Sequence, residues 1–241
     1  MRGLIFIVML ITLYSCKEKS NDEVSDIQTE NNIEQAPLKS LVENLPTIGL
    51  LAYEGVLMTE VTAPMDVFTK LDTAGNQLFN VIVIAETLEP IVTEEGLKIV
   101  PDYTFNTSPP LDALFVPSAY DMYTIIRNEE IISFIQEQNK LVDYVVSNCA
   151  GAQLIGQSGI AKGKKIVTWI GGGHQLQIDY PDLLVQDDAS VTYVEDGKFS
   201  SSNGNLASYI SSLELLEKLT DENHRKFVKS YLYLDRLQQW N

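Results

Sequence analysis

Cys149 is the side chain with the most chemical potential in this chain. It ends the run Tyr144-Val145-Val146-Ser147-Asn148-Cys149, and Ala150-Gly151-Ala152 follows, so a β-branched stretch stops at a thiol and small residues take over. The run reads as a buried strand, and Ala150 to Ile155 as the opening of a helix. A thiol at such a turn points out of the sheet, and the new helix aims its free N–H groups at it. Those groups and the helix dipole favour the thiolate, the nucleophilic form of a side chain whose free pKa is about 8.5. The chemistry implied is attack on an electrophile. A second reading stays open, because a small, buried, apolar Cys is also a common fate of this residue.

The elements that must position this thiol alternate between apolar strands and helices. Thr47 to Ala52 reads as a first buried strand, and Tyr53 to Thr59 leads into a helix near Glu60 to Leu71, with Pro64 in its first turns. Phe79 to Ala85 is a second strand, Ile91 to Tyr103 a hairpin turning at Glu95-Gly96, and Leu114 to Val116 a further short strand. Glu129 to Leu141 is an amphipathic helix with Ile131, Ile132, Phe134 and Ile135 inward. After the strand that ends at Cys149, Val191 to Phe199 folds back at Glu195-Asp196-Gly197, and helices span Leu206 to Leu219 and Lys226 to Leu237. Continuous apolar strands alternating with helices specify the α/β class: a doubly wound, mostly parallel sheet with helices on both faces. Ligands of such sheets bind beyond the carboxyl ends of the strands, where Cys149 falls.

The second cysteine bears on location. Met1-Arg2 supplies a positive charge, Leu4 to Tyr14 is apolar, and polarity resumes at Lys17-Glu18-Lys19. That stretch is shorter than the roughly 20 residues a membrane-spanning helix needs, and it suits a secretory signal. Leu13-Tyr14-Ser15-Cys16 resembles the bacterial lipobox, in which the cysteine is lipidated and becomes the first residue; a plain cleaved signal with an incidental cysteine is the alternative. On this reading residues 1–15 are a lipoprotein signal peptide and residues 16–46 a lipidated, acidic, disordered tether. Residues 47–241 are then one α/β domain outside the cytoplasm, lipid-anchored at the envelope of a bacterial cell. Leu38 to Leu45 is expected to form a short turn against that domain. The net charge of −16 repels nucleic acid and anionic headgroups, so membrane contact is expected through the lipid alone.

Three stretches together resemble the PfpI family of the class I glutamine amidotransferase-like superfamily, nearest its isonitrile-hydratase-like branch. They are Gly55 to Phe68, with an acidic residue four before Pro64; Asn148-Cys149-Ala150-Gly151-Ala152, which looks like a nucleophile elbow; and Ser201-Ser202-Asn203-Gly204-Asn205-Leu206-Ala207-Ser208. The resemblance covers roughly Thr47 to Trp240 and implies a flavodoxin-like sandwich. It also implies that Cys149 is the nucleophile and that Glu60 is the carboxyl group hydrogen-bonded to its sulfur. A carboxyl beside a thiolate keeps its proton, since two adjacent anions are unfavourable, and can act as general acid or base. Without the family context, Glu60 is merely an acid at a helix N-terminus. Backbone N–H groups of Ala150 and of Ser118 or Ala119 would hold developing negative charge. Dimerisation is common in the family, so a homodimer is an expectation too, with no interface legible.

The chain also departs from that pattern. Peptidase-like members carry a histidine directly after the nucleophile, where Ala150 stands; the hydratase-like branch carries one before a tryptophan, where Thr168 precedes Trp169. His174, in Gly171-Gly172-Gly173-His174, is a base if that loop swings toward the site, and otherwise a solvated residue at the start of a helix Gln175 to Tyr180. His224 reads as a surface residue. Ser118-Ala119 replaces two glycines, so any positive φ there would be strained. Two functions compete. One is a cysteine-dependent enzyme, hydrolase or lyase, acting on a small carbonyl or nitrogen electrophile in a hydratase-, glyoxalase- or amidase-like reaction without cofactor or metal. The other is a non-catalytic ligand-binding or thiol redox-sensing lipoprotein. Proteolysis and transcriptional regulation are disfavoured by the missing histidine and by the charge.

Overall fold

A computed structural model describes residues 39–237. The expected signal peptide, Cys16 and the tether up to residue 38 lie outside the described residues. Among the described residues no helix is long and apolar enough to cross a membrane.

Four strands form the centre of the sheet: β1 (Thr47–Leu51), β2 (Asn80–Ala85), β6 (Ala113–Val116) and β7 (Tyr144–Asn148). β1, β2 and β6 are buried throughout, as continuous Val, Ile and Leu runs require when helices cover both faces. β5 (Tyr103–Thr104), β10 (Tyr193–Asp196) and β11 (Phe199–Ser202) complete seven strands in the order β10-β11-β7-β6-β1-β2-β5. Every pairing is parallel except the β10–β11 hairpin. Two small ribbons lie apart: β3 (Ile91–Val92) with β4 (Lys98–Ile99), antiparallel, and β8 (Lys165–Ile166) with β9 (Leu184–Val185), parallel. The expected hairpin thus ends at Ile99, and Tyr103 leaves it to pair with Ile84 at the sheet edge.

Helices α1 (Met58–Phe68) and α6 (Ser208–Leu219) pack together, with α7 (Glu222–Tyr231) against α6. The helices α3 (Glu129–Asn139) and α4 (Gly151–Ser158) pack on each other. Right-handed crossovers explain the two layers: the chain moves one way from β1 to β2 and the other way from β6 to β7, so their helices fall on opposite faces. Short helices α2 (Met122–Ile125) and α5 (Gly173–Asp179) sit in the connections. Helix α1 begins two residues before the expected Glu60 because Glu95, in the β3–β4 turn, accepts the Met58 N–H at 2.9 Å. Pro64 therefore lies in the second turn and leaves the Glu60 carbonyl without its helical donor. Phe68, fully buried at the other end of α1, meets Phe79 and Phe115 edge-on, at 5.1 and 5.9 Å between ring centroids. Burial of such a ring stabilises by roughly 1.5–3 kcal/mol and fixes α1 on the sheet, and with it Glu60.

The last part of the expected disordered tether is docked on the domain. The Asn80 amide accepts from the Val42 N–H and donates to the carbonyls of Val42 and Leu45, and the Lys39 ammonium donates to the Val81 carbonyl at 2.6 Å. The turn expected against the domain is thus present over residues 39–45, and one buried side-chain amide at the start of β2 anchors it.

Candidate active site

Cys149 follows β7 with φ of 51°, the left-handed region that a sharp strand-to-helix turn demands. Its N–H donates to the Ser202 carbonyl (3.0 Å), and the Thr168 hydroxyl donates to the Cys149 carbonyl (2.8 Å). Beneath it, the Asn148 carboxamide oxygen accepts from the hydroxyls of Ser202 and Ser211 at 2.7 and 2.8 Å. The elbow is thus clamped from β11, α6 and the segment after β8. Gly151 is required behind it, since a Cβ there would stand 2.3 Å from the Val116 carbonyl oxygen.

Glu60 comes from the other side of the sheet's carboxyl edge and is 1% exposed. The Ser118 N–H donates to its Oε2 at 2.7 Å, and the Asn205 N–H to its Oε1 at 3.2 Å. Two further contacts bring it there: the Leu57 N–H donates to the Ser118 carbonyl, and Val56 bridges Ala119. Glu60 is therefore a buried group held by other segments, not an exposed acid on its own helix end. Burial, above all, raises its pKa from the ordinary carboxyl value; the N–H groups of Ser118 and Asn205, the Ser118 hydroxyl and the Cys149 thiol oppose that rise.

Cys149 lies beside the Glu60 carboxyl, both against the Gly204 turn. Burial first, then the charge of Glu60, pushes the thiol up to about 11, against the Ser118 hydroxyl and the Ala150 N–H. The expected standing thiolate is thereby corrected. One N–H group and a short helix do not outweigh burial beside an acidic group, and the thiol rests protonated. The two groups titrate as a coupled pair, and a proton can pass between sulfur and carboxyl.

The three expected oxyanion donors are differently employed. The Ser118 N–H is committed to Glu60, the Ala150 N–H faces the thiol, and the Ala119 N–H meets Met122 Sδ at 3.2 Å. Only Ala119 has a soft acceptor that a developing anion could displace. Neither Ser118 nor Ala119 takes a positive φ, so the loss of the two glycines strains nothing.

His174 is not brought to the site. It is exposed on α5 and does not line the cleft around Cys149. Its loop does not behave as a free hinge: Asp188 accepts the N–H groups of Gly171 (2.9 Å) and Gly173 (2.5 Å), and Gly172 is pressed against the Trp169 ring. Thr168, at the position where the resemblance places a histidine, serves the elbow's backbone and not the sulfur. His224 lies on α7, away from the cleft. Among the described residues no cluster of His, Cys, Asp or Glu is arranged to hold a metal ion.

Two contributors escaped the sequence reading. Tyr53 is buried two residues after β1, and its hydroxyl donates to the Pro117 carbonyl at 2.6 Å; burial, then Glu60 and Cys149, holds it protonated. Its place at the end of an apolar strand was the available signal. Gly204 was visible only as part of a small-residue turn. Its φ of 83° and ψ of −167° belong to glycine, and a Cβ there would sit 2.2 Å from Cys149 Cβ and 2.3 Å from Glu60 Oε1.

The thiol opens into a cleft of about 990 Å³. Leu57, Met122, Ile126 and Trp169 form apolar walls, Tyr120, Tyr123, Ile170 and Leu206 an exposed rim, and Arg127 is the single cation among the lining residues. The arrangement suits a small, largely uncharged electrophile carrying an apolar substituent.

Comparison with known proteins agrees with this fold. An isonitrile hydratase from Pseudomonas putida is 27% identical over 186 residues, 77% of this chain and 77% of that protein. The crystal structure of a ThiJ/PfpI family protein from Pseudomonas syringae superposes with a TM-score of 0.71 at 22% identity, covering 79% of this chain and 76% of that one. That of Drosophila melanogaster DJ-1beta superposes with a TM-score of 0.68 at 19% identity, covering 78% and 98%. The model of the DJ-1/PfpI family matches residues 47–218, the span that carries β1, Glu60, the Cys149 elbow and the Gly204 turn, and the chain belongs to that family.

Proposed function

We propose that this protein is a cysteine-dependent, hydratase-like enzyme that adds water to a small electrophile of the isonitrile type. The observation that carries this reading is Cys149 set beside buried Glu60 in the lining of an apolar cleft. The likeness to an isonitrile hydratase supports the choice of reaction. On an isonitrile R–N≡C, Sγ bonds to the terminal carbon while Glu60 takes the thiol proton and returns it to that carbon. The product is a thioformimidate, R–N=CH–S–Cys149. Water then adds across the C=N bond, its OH to carbon and its second proton to nitrogen. Collapse breaks the C–S bond, releases R–NH–CHO, and passes the hydroxyl proton through Glu60 to sulfur. One carboxyl group carries each proton in turn, so the sequence needs no histidine.

The test is product formation by the full chain from a simple alkyl isonitrile, with methylglyoxal and a primary amide in parallel. Formamide from wild type and none from Cys149→Ala supports the reading. Turnover of methylglyoxal or the amide alone moves the assignment to a glyoxalase- or amidase-like reaction, and full activity in the alanine variant removes Cys149 as nucleophile. Peroxide sensing is the weaker alternative, because a thiol held at about 11 offers little thiolate for oxidation. We also propose attachment to a bacterial membrane through lipid on Cys16, supported by the apolar stretch and Leu13-Tyr14-Ser15-Cys16. Metabolic labelling with a palmitate analogue should mark wild type and not Cys16→Ser.

A further inference from the structure

Ser118 carries a feature that the hydratase chemistry above leaves unused. It is 0% exposed, and both its backbone groups are engaged, the N–H with Glu60 Oε2 at 2.7 Å and the carbonyl with the Leu57 N–H at 2.8 Å. Its position is therefore rigid. Its hydroxyl oxygen is fully buried and makes no hydrogen bond of ordinary geometry in the resting site. The same residue meets Glu60 through its N–H and adjoins the Cys149–Glu60 pair, where its hydroxyl favours the ionised form of each. A buried hydroxyl without a partner is destabilising unless it gains one when the site works.

We propose that Ser118 is a positioning residue whose hydroxyl, unpartnered at rest, turns to donate to Cys149 Sγ once the thiol proton has moved to Glu60. Ser118 keeps its own proton throughout; the one proton that moves is that of Cys149. Because rotation about the Ser118 Cα–Cβ bond is the motion required, the hydroxyl can turn to the sulfur without displacing the backbone that holds Glu60. In the absence of a histidine beside the sulfur, this is the available side-chain donor for the thiolate on the Glu60 side of the site. The inference rests on the Cys149–Glu60 pair exchanging a proton, and not on the identity of the substrate.

The test is the pH profile of alkylation of Cys149 by iodoacetamide in the folded full chain, which needs no substrate. Ser118→Ala should raise the apparent thiol pKa and slow alkylation at fixed pH by roughly three- to tenfold, a whole pKa unit being tenfold. Ser118→Gly should do the same, and Ser118→Thr, which keeps the hydroxyl, should restore the profile. The melting temperature of Ser118→Ala should be no lower than that of wild type, since an unpartnered hydroxyl has been removed; a purely structural role would lower it and leave the profile in place. Superimposable profiles for Ser118→Ala, Ser118→Gly and wild type overturn the proposal. If Glu60→Gln also leaves the profile unmoved, the coupled pair itself is refuted; if Glu60→Gln moves it and Ser118→Ala does not, the role of Ser118 alone is.

Discussion

Gly204→Ala is the substitution that reads the packing of the site most directly. The glycine adopts φ 83° and ψ −167°, a region that costs other residues about 1–3 kcal/mol. Its new methyl group would start 2.2 Å from Cys149 Cβ and 2.3 Å from Glu60 Oε1, where ordinary contacts are at least an ångström longer. Neither neighbour can yield easily, because the elbow is clamped by Ser202 and Thr168 and Glu60 by Ser118. Overpacking of a rigid interior adds about 1–3 kcal/mol. The sum, roughly 2–6 kcal/mol, is a large part of the 5–15 kcal/mol that holds a typical domain together. For a domain of this size it corresponds to a fall in melting temperature of roughly 5–20 °C. Scanning calorimetry at neutral pH measures it, and alkylation of Cys149 reports whether Glu60 has been pushed off the sulfur. A variant that melts with wild type and reacts at the wild-type rate would show that the Gly204 turn does not close over the pair, and the account of the site would fall.

Other expectations follow from the same contacts. The folded Cys149 thiol ionises near 11 and the unfolded one near 9, so this contribution to stability is intact below 9 and is lost as pH rises from 9 through 11, on the order of 2 kcal/mol in total. Urea unfolding at pH 8 and pH 10.5 should show that loss in wild type beyond whatever Cys149→Ala shows; equal losses would contradict the raised pKa. Asp188→Ala removes the acceptor of the Gly171 and Gly173 N–H groups and should cost about 1–3 kcal/mol, with faster hydrogen exchange at residues 171–173. Unchanged exchange there would show that Asp188 does not hold the loop. His174→Ala, on the exposed side of α5, should leave turnover within about twofold of wild type, as surface substitutions away from a site do. A loss of a hundredfold would return His174 to the mechanism.

What the sequence determined by itself is the part governed by local pattern. Runs such as Asn80 to Ala85 can be buried on both faces only in a parallel sheet, and the switch from Val145-Val146 to Ala150-Gly151-Ala152 marks the turn that carries Cys149. The Gly204 turn was legible as a motif, though not as a lid over the thiol. The protonation of the site was decided elsewhere. Glu60 meets its donors across 58 and 145 positions of sequence, and the depth at which it and Cys149 are buried depends on α1, β6, β7 and the turn before α6 together. The same holds for Tyr103, which left its hairpin for the sheet edge, for Thr168, which turned to the elbow's carbonyl, and for His174, which stayed outside. Periodicity specifies which face of a segment avoids water. Which carbonyl or carboxylate a given N–H finds, and how far a charge is removed from solvent, exist only once distant segments have met, and those two quantities set the chemistry of a thiol.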